Sequence, residues 1–326
     1  VPELPDIEAY LEALRSRVLG EELLGIRLVH PFLLRTVEPP LEAAAGRPVA
    51  GLSRLGKRLV FELGVGAAER GRDAPLFLVL HLMIAGRLQW LPPDAPVARG
   101  RGLAAFDFTK GTLLLTEAGK KRRASLHLLA GRAALAGMDP WGLEVLDSSL
   151  DEFVEAFTET NHTLKRALTD PHILSGIGNA YSDEILHRAR LSPFRQTGSL
   201  SPAEMERLHQ ATLAVLGEWT QRLVAEARAD FPAKVTAFRP EMSVHGKYGQ
   251  PCPVCGTAVQ RIKYAENEAN YCPRCQTEGR MLADRSLSRL LKADWPRTVD
   301  EPEARGRTGG SGGFPVGAAS ADRKLE

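Results

Sequence analysis

Val1-Pro2-Glu3-Leu4-Pro5-Asp6 sets two prolines around a carboxylate directly before an amphipathic helix. From Asp6 to Val18, the residues Ile7, Tyr10, Leu11, Leu14 and Val18 fall on one helical face. The small residue behind Val1 permits its removal, and Pro2 then carries a free secondary amine beside Glu3. An α-amino group titrates near about 7.7–8.0, against about 10.4 for a lysine, so roughly a tenth of it is neutral and nucleophilic at pH 7. Attack of such an amine on a sugar C1′ gives an iminium, charged without a further proton, which serves as an electron sink for elimination. Glu3 is placed to protonate the opening sugar. The plainer alternative is a stiffened terminus in which Pro5 opens the helix.

Beyond this helix the pattern changes. Leu24–His30, Leu59–Leu63, Leu76–Leu91, Leu103–Thr109 and Thr112–Thr116 read as β-rich runs, with Lys110-Gly111 as a hairpin turn between the last two. Short strands with turn signals predict a β-sandwich or barrel. Gly64 to Ala74 and Pro92 to Arg101 read as surface loops, and Gly131 to Ser149 as a linker. The chain then turns helical over Leu150–Thr158, Thr163–Thr169, Asn179–Arg190 and Ala203–Ala227, the last with Ser201 as N-cap and Pro202 in its first turn. A final short helix is expected at Leu282–Lys292.

With 326 residues, 44% hydrophobic and 25% charged, the chain is long enough for two domains and fits the soluble globular class. No apolar run is long enough to span a bilayer and no secretory signal is present, so no membrane association and a cytoplasmic location are expected. A net charge of +2 leaves any affinity for nucleic acid to the distribution of charge.

All four cysteines lie between 252 and 275. Cys252-Pro253-Val254-Cys255 and Cys272-Pro273-Arg274-Cys275 are two C-x2-C knuckles sixteen residues apart. Four thiolates in that arrangement suit one closed, structural Zn2+ site rather than disulfides. Phe231–Lys292 carries ten Lys/Arg against five Asp/Glu, so this segment is locally basic. Contact with DNA phosphates and contact with a protein partner are both open to it.

Ser175-Gly176-Ile177-Gly178-Asn179 opens the Asn179 helix. Glycines allow close backbone approach, and a helix N-terminus offers N–H groups to a phosphate; the alternative is a tight turn. Lys165 and Arg166 precede it. Lys57 leads a strand, and Lys120-Lys121-Arg122-Arg123 follows another; both read either as solvated charge or as groove lining for a phosphate backbone.

Together these pieces resemble the formamidopyrimidine-DNA glycosylase/endonuclease VIII family. The resemblance runs from Pro2 to about Lys292. It rests on Pro2-Glu3-Leu4-Pro5-Asp6, on Gly176-Ile177-Gly178-Asn179 followed by Ala180-Tyr181-Ser182-Asp183-Glu184, and on the double knuckle ending Cys272-Pro273-Arg274-Cys275-Gln276. It implies an α+β fold: an N-terminal helix plus β-sandwich catalytic lobe (residues 1–132), a linker (133–149), a helix–two-turn–helix DNA-binding lobe (150–230), a zinc-bound β-hairpin segment (231–292) and a disordered tail (293–326). It implies a bifunctional DNA glycosylase/AP lyase of base-excision repair, acting as a monomer on double-stranded DNA that contains a damaged base or abasic site. The alternative is a non-catalytic paralogue that binds damaged or abasic DNA.

Carried over by position, Pro2 matches the nucleophile, Glu3 the acid and Lys57 the groove lysine. Asp6 matches a supporting carboxylate that is usually Glu. Lys165 and Asn179 match phosphate-binding residues. The chain also departs from the pattern. Asn267 stands where the zinc hairpin usually has arginine. His81-Leu82-Met83-Ile84 places Ile84 where the purine-specific branch has methionine after His-Leu-Gly. Ala118-Gly119-Lys120-Lys121-Arg122-Arg123 keeps the charge of a duplex-wedging loop without its aromatic ring. Ile84 or Met83 is expected to serve as an apolar wedge, with Arg122 and Arg123 on the DNA.

Overall fold

The structure is a computed structural model and describes residues 2–65, 75–97, 100–118, 121–232, 235–264, 267–283 and 297–299. Helix α1 (Leu4–Val18) is followed by strands β1 (Glu22–Leu28), β2 (Arg47–Leu55), β3 (Arg58–Leu63), β4 (Leu76–His81), β5 (Gly86–Leu91), β6 (Gly102–Phe108), β7 (Gly111–Glu117) and β8 (Ser125–Ala130). These form an antiparallel sheet in the order β5-β7-β6-β1-β2-β3-β4-β8. Its two halves join only where Glu22 and Leu23 of β1 pair with Pro48 and Arg47 of β2. The narrow seam lets the halves fold over one another. Leu59, Phe61, Leu63, Leu78, Leu80 and Leu126 from one half share a core with Leu88, Leu103, Phe106, Leu113 and Leu115 from the other. The alternating residues Val60, Phe77 and Val79 face outward, beneath Leu135 of α2 (Gly131–Ala136) and Met138.

Three strand expectations change. Leu76–Leu91 is two strands, broken by a turn in which Met83 takes a left-handed φ of 52°. The Gly86 N–H closes that turn onto the Leu82 carbonyl at 2.9 Å. Strand β2 went unread because a register shift between Val49 and Gly51 breaks its alternation. Strand β8 lies in a stretch given to no strand, and α2 occupies the start of the expected linker. Thr109 and Lys110 make the β6–β7 turn, with Gly111 already in β7.

The helical part comprises α3 (Leu150–Thr158), α4 (Leu164–Thr169), α5 (Asn179–Ala189) and α6 (Pro202–Ala229). Ser149 and Ser201 cap α3 and α6, each accepting the N–H of a glutamate three residues on. Arg190 ends α5 with a left-handed φ of 55°. Helix α1 is buried on more than one face, since Ala9 and Ala13 are covered as fully as Ile7 and Leu14. It packs along α6 and against β2, and so belongs to both halves of the molecule. Tyr10 shows this directly. Its ring lies 5.9 Å from that of Phe231, beyond α6, and its hydroxyl accepts the Leu88 N–H of β5 at 3.3 Å.

The hairpin β9 (Gln260–Tyr264) and β10 (Asn267–Tyr271) leads into a short helix α7 (Pro273–Thr277). The expected Leu282–Lys292 helix lies outside the described residues from 284 onward, as does the tail apart from 297–299. Among the described residues no helix is long and apolar enough to cross a membrane.

Candidate active site

Pro2 and Glu3 are buried at the start of α1, against the turn that opens α5. The Glu3 carboxylate accepts three backbone N–H groups: Gly178 at 2.6 Å, Ala180 at 2.9 Å and Tyr181 at 3.3 Å. The Leu4 N–H donates to the Gly176 carbonyl at 2.9 Å. The α5 N-terminus is therefore an anion site already occupied, by a carboxylate of the same chain. The two glycines serve this contact. A Cβ on Gly178 would lie 2.6 Å from the Glu3 carboxyl carbon, and one on Gly176, at φ 81°, would lie 2.8 Å from the Leu4 Cβ. Close approach was expected at this turn, but the partner is the N-terminus of the protein itself.

Asp6 completes the local frame. Its Oδ2 accepts the Glu3 N–H at 3.0 Å, while Oδ1 is buried without a hydrogen bond among the described residues. Burial, helped by the Glu3 charge and opposed by that hydrogen bond and by Arg239, pushes its pKa up to about 6. Arg54 braces the region from the sheet side. It bonds to Glu8 of α1, to Glu144 and to Ser175, so α1, the inter-lobe stretch and the glycine turn share one guanidinium.

Lys57 lies in the two-residue turn between the paired Leu55 and Arg58, directly ahead of β3 as expected. Burial lowers its pKa, and the charge of the Glu3 carboxylate pulls it part of the way back upward. His81, at the end of β4, was missed by sequence reading. Its Nε2 is buried with no partner among the described residues. Burial, then the charges of Arg58 and Lys57, depress its pKa to about 4. An unpaired imidazole among cations is the environment an anion would complete. The only sequence signal was its place ahead of Leu82-Met83.

Asn179 is half-buried, and its side chain has no partner among the described residues. Lys165 is placed otherwise than expected. It is buried, its ammonium donating to Asp183 at 2.5 Å and to the Asn179 carbonyl at 2.7 Å, so it braces Asn179 from behind. Ile84 sits half-exposed at the tip of the β4–β5 turn. The Arg122 guanidinium bonds to the Gly100 carbonyl, and the Arg123 backbone N–H donates to the buried Glu117 carboxylate at 3.0 Å. Gly119 and Lys120 of that basic run lie outside the described residues, as does Val1.

Helix α5 links this site to the cysteine hairpin. Asp183 also bonds to His245 at 2.8 Å and Asn270 at 3.0 Å. Glu184 accepts the N–H groups of Ser243, Val244 and His245 at 2.8–2.9 Å. The sulfurs of Cys252, Cys255, Cys272 and Cys275 lie within 4.8 Å of one another. Two cross-knuckle pairs are 3.4 and 3.9 Å apart. Tetrahedral zinc with bonds of about 2.3 Å requires sulfurs roughly 3.8 Å apart, so the four cysteines fit one zinc ion with no open position. His187 Nε2 lies 3.3 Å from the Cys252 sulfur, as an outer partner of a ligand.

The same three parts are matched by family comparison. Residues 1–123 match the formamidopyrimidine-DNA glycosylase N-terminal domain, 137–222 its H2TH domain, and 249–277 the zinc finger found in FPG and IleRS. The formamidopyrimidine-DNA glycosylase of Symbiobacterium thermophilum is 31% identical over 312 residues, covering 93% of this chain and 98% of that one. The chain belongs to the formamidopyrimidine-DNA glycosylase family. Another relative, an uncharacterized formamidopyrimidine-DNA glycosylase-like protein of Mycobacterium tuberculosis, is 42% identical over 151 residues, covering 46% of this chain and 94% of that one. Among solved structures, Lactococcus lactis Fpg in complex with an abasic-site-containing DNA matches with a TM-score of 0.72 and 25% identity, over 84% of this chain and 99% of that one. This family member thus combines the N-terminal sheet lobe, the helical lobe and a four-cysteine zinc finger in one chain.

Proposed function

We propose that this family member is a bifunctional DNA glycosylase/AP lyase that acts on duplex DNA carrying a damaged, oxidised base or an abasic site. The supporting observation is the seating of Glu3 by the α5 N-terminus, which fixes the carboxylate beside Pro2 from two sides. The reading includes removal of Val1, because Pro2 reacts only as a free amine. Its nitrogen forms a bond to C1′ as the glycosidic C1′–N bond breaks and the base departs. As it bonds to C1′ the amine sheds its N–H proton, which Glu3 takes up and passes to O4′ as the sugar opens, leaving a C1′ iminium. Loss of a C2′ proton then expels the 3′ phosphate by β-elimination, and a second elimination can expel the 5′ phosphate. Water releases the amine.

Lys57, His81 and Asn179 supply an ammonium, an open imidazole and an open amide for the phosphates that flank the lesion. Lys165 holds Asn179 in place. Ile84 enters the space the extruded base leaves, a step that costs a few kcal/mol and least at a damaged pair. Arg122 and Arg123 lie along the duplex. In this division residues 1–132 carry the chemistry, 150–230 bind DNA and 231–292 form the zinc-held segment, where the zinc has a structural role.

The test is borohydride trapping of protein with verified free Pro2. The substrates are an abasic duplex and a panel of oxidised purine and pyrimidine duplexes, with the adduct mapped by mass spectrometry. An adduct on Pro2 is expected. Tight DNA binding with no adduct would replace this reading by that of a non-catalytic damage-binding protein.

A further inference from the structure

Strand β7 ends at Glu117 and β8 begins at Ser125, with Lys121-Arg122-Arg123 of the basic run between them. Glu117 is only 2% exposed. Its carboxylate turns back onto the far end of that stretch. The Arg123 N–H is shared between both carboxylate oxygens at 3.0 Å each, and the Ala124 N–H donates to Oε2 at 3.1 Å. The stretch therefore leaves the sheet at Glu117 and is pinned to the same residue where it returns. A buried carboxylate is costly unless hydrogen-bonded, and bonds to an ionised acceptor are among the strong ones, so this neck is firmly held.

Two further pieces of the proposed DNA face start from the same neck. Glu117 pairs across β7 and β5 with Gly86, whose N–H closes the turn that carries Ile84. Arg87 adds a second tie to that turn, its guanidinium donating to the Gly86 carbonyl at 2.6 Å and to the Ile84 carbonyl at 3.3 Å. On the other side Ala124 precedes Ser125, which pairs with His81. Glu117 belongs to one half of the folded sheet and Ser125 to the other. The carboxylate thus bridges the halves at the end that carries the Ile84 turn, His81 and the arginines.

We infer that Glu117 is a positioning residue for DNA binding. By pinning Arg123 and Ala124 it fixes where Arg122 and Arg123 stand relative to the Ile84 turn, so that a duplex meets all of them at once. The inference rests on the reading above that the two arginines lie along the duplex. The sign of the effect separates it from plain electrostatics. A carboxylate beside a basic run repels phosphate, so by charge alone its removal would tighten DNA binding. As a positioning group its removal loosens binding, because part of the binding energy then goes into ordering the arginines.

The experiment measures affinity for a duplex carrying a tetrahydrofuran abasic analogue across a salt series. It compares wild type, Glu117→Gln, Arg122→Gln/Arg123→Gln and the triple variant. Glu117→Gln should bind about tenfold more weakly, with a log–log salt slope shallower by about one, the loss of roughly one phosphate contact. In the background lacking both arginines the same substitution should change affinity less than about twofold, because nothing is left for it to position. Tighter or unaltered binding by Glu117→Gln overturns the inference. So does an equal further loss in the triple variant, since Glu117 would then act only through the fold. In wild type the Arg123 and Ala124 amides should exchange with solvent as slowly as strand amides, a readout that needs no variant to fold. Exchange at the rate of a free loop overturns the inference too. If Arg122→Gln/Arg123→Gln binds DNA like wild type, the arginine reading fails and takes the inference with it, a separate failure visible without any change at Glu117.

Discussion

The Glu3 carboxylate accepts the Gly178 N–H at 2.6 Å across 175 residues of sequence. This one contact joins the proposed reacting end, at the head of α1, to the first turn of α5. It makes the position of Glu3 depend on the helical lobe as much as on its own helix. The absence of a side chain at Gly178 is what permits it.

Gly178→Ala should therefore disable the site more than it harms the fold. The new Cβ would sit 2.6 Å from the Glu3 carboxyl carbon, so Glu3 or the turn must move. A displacement of that order costs about 10²-fold in a positioned reaction. Trapping on an abasic duplex should fall by about that factor, with DNA affinity changed only a few-fold. Trapping at the wild-type rate would mean that this seat does not matter.

Lys165 gives a clear stability signal. Lys165→Met leaves Asp183 buried without its cation, and breaking one side of a buried pair costs about 3–5 kcal/mol. The urea midpoint should drop accordingly, and adding Asp183→Asn should recover part of the loss. A lysine that only held a phosphate would instead lower the salt slope of DNA binding by about one and leave the midpoint alone.

Asp6 predicts a pH dependence. Its folded pKa is raised from 3.8 to about 6, mainly by burial. Below the unfolded value both states are protonated and folding bears no cost. As pH rises to about 6 the unfolded chain releases its proton first, and stability falls by up to about 3 kcal/mol for a shift of this size. Asp6→Asn cannot titrate. Its stability relative to wild type, from urea melts, should increase between pH 4 and pH 6.5 and then stay level.

Ile84 is half-exposed, so Ile84→Ala should change stability by no more than about 0.5 kcal/mol. Excision from a paired lesion should still fall about tenfold, because the extruded base loses its apolar replacement. Excision from single-stranded DNA, which has no gap to fill, should change little. Equal losses on both substrates would rule out the wedge.

Zinc should be stoichiometric, one per chain by elemental analysis. Cys272→Ser should lose the metal and weaken DNA binding, while the sheet lobe keeps its far-ultraviolet signature. The hairpin meets α5 through Glu184, Asp183 and His187, so hydrogen exchange in α5 should quicken as well. Unaltered DNA affinity in the metal-free variant would remove zinc from the binding account.

Residue order alone determined the parts whose signals are local. The Pro2-Glu3 start, the capped helices after Ser149 and Ser201, and the two cysteine knuckles each carry their chemistry within a few residues. Spacing alone placed the four thiols as one metal set, and the sulfur positions agree. Asp6 and Lys57 stood out only through the family resemblance, since neither has a local signal of its own. Strand β2 was not legible, because its bulge hides the alternation, and neither was His81, whose meaning lies in an imidazole nitrogen left unpaired near Lys57 and Arg58.

Tertiary structure decided what each group faces. Sequence offered the α5 N-terminus to a phosphate, but folding fills it with Glu3, because α1 is packed between the two lobes and its head meets the glycine turn. Sequence offered Lys165 to DNA, but folding turns it inward to Asp183, where a buried carboxylate needs a cation more than the surface does. Residue type sets what a side chain can bind. The partner it finds is chosen by burial and by long-range packing, and neither has a sequence spacing to read.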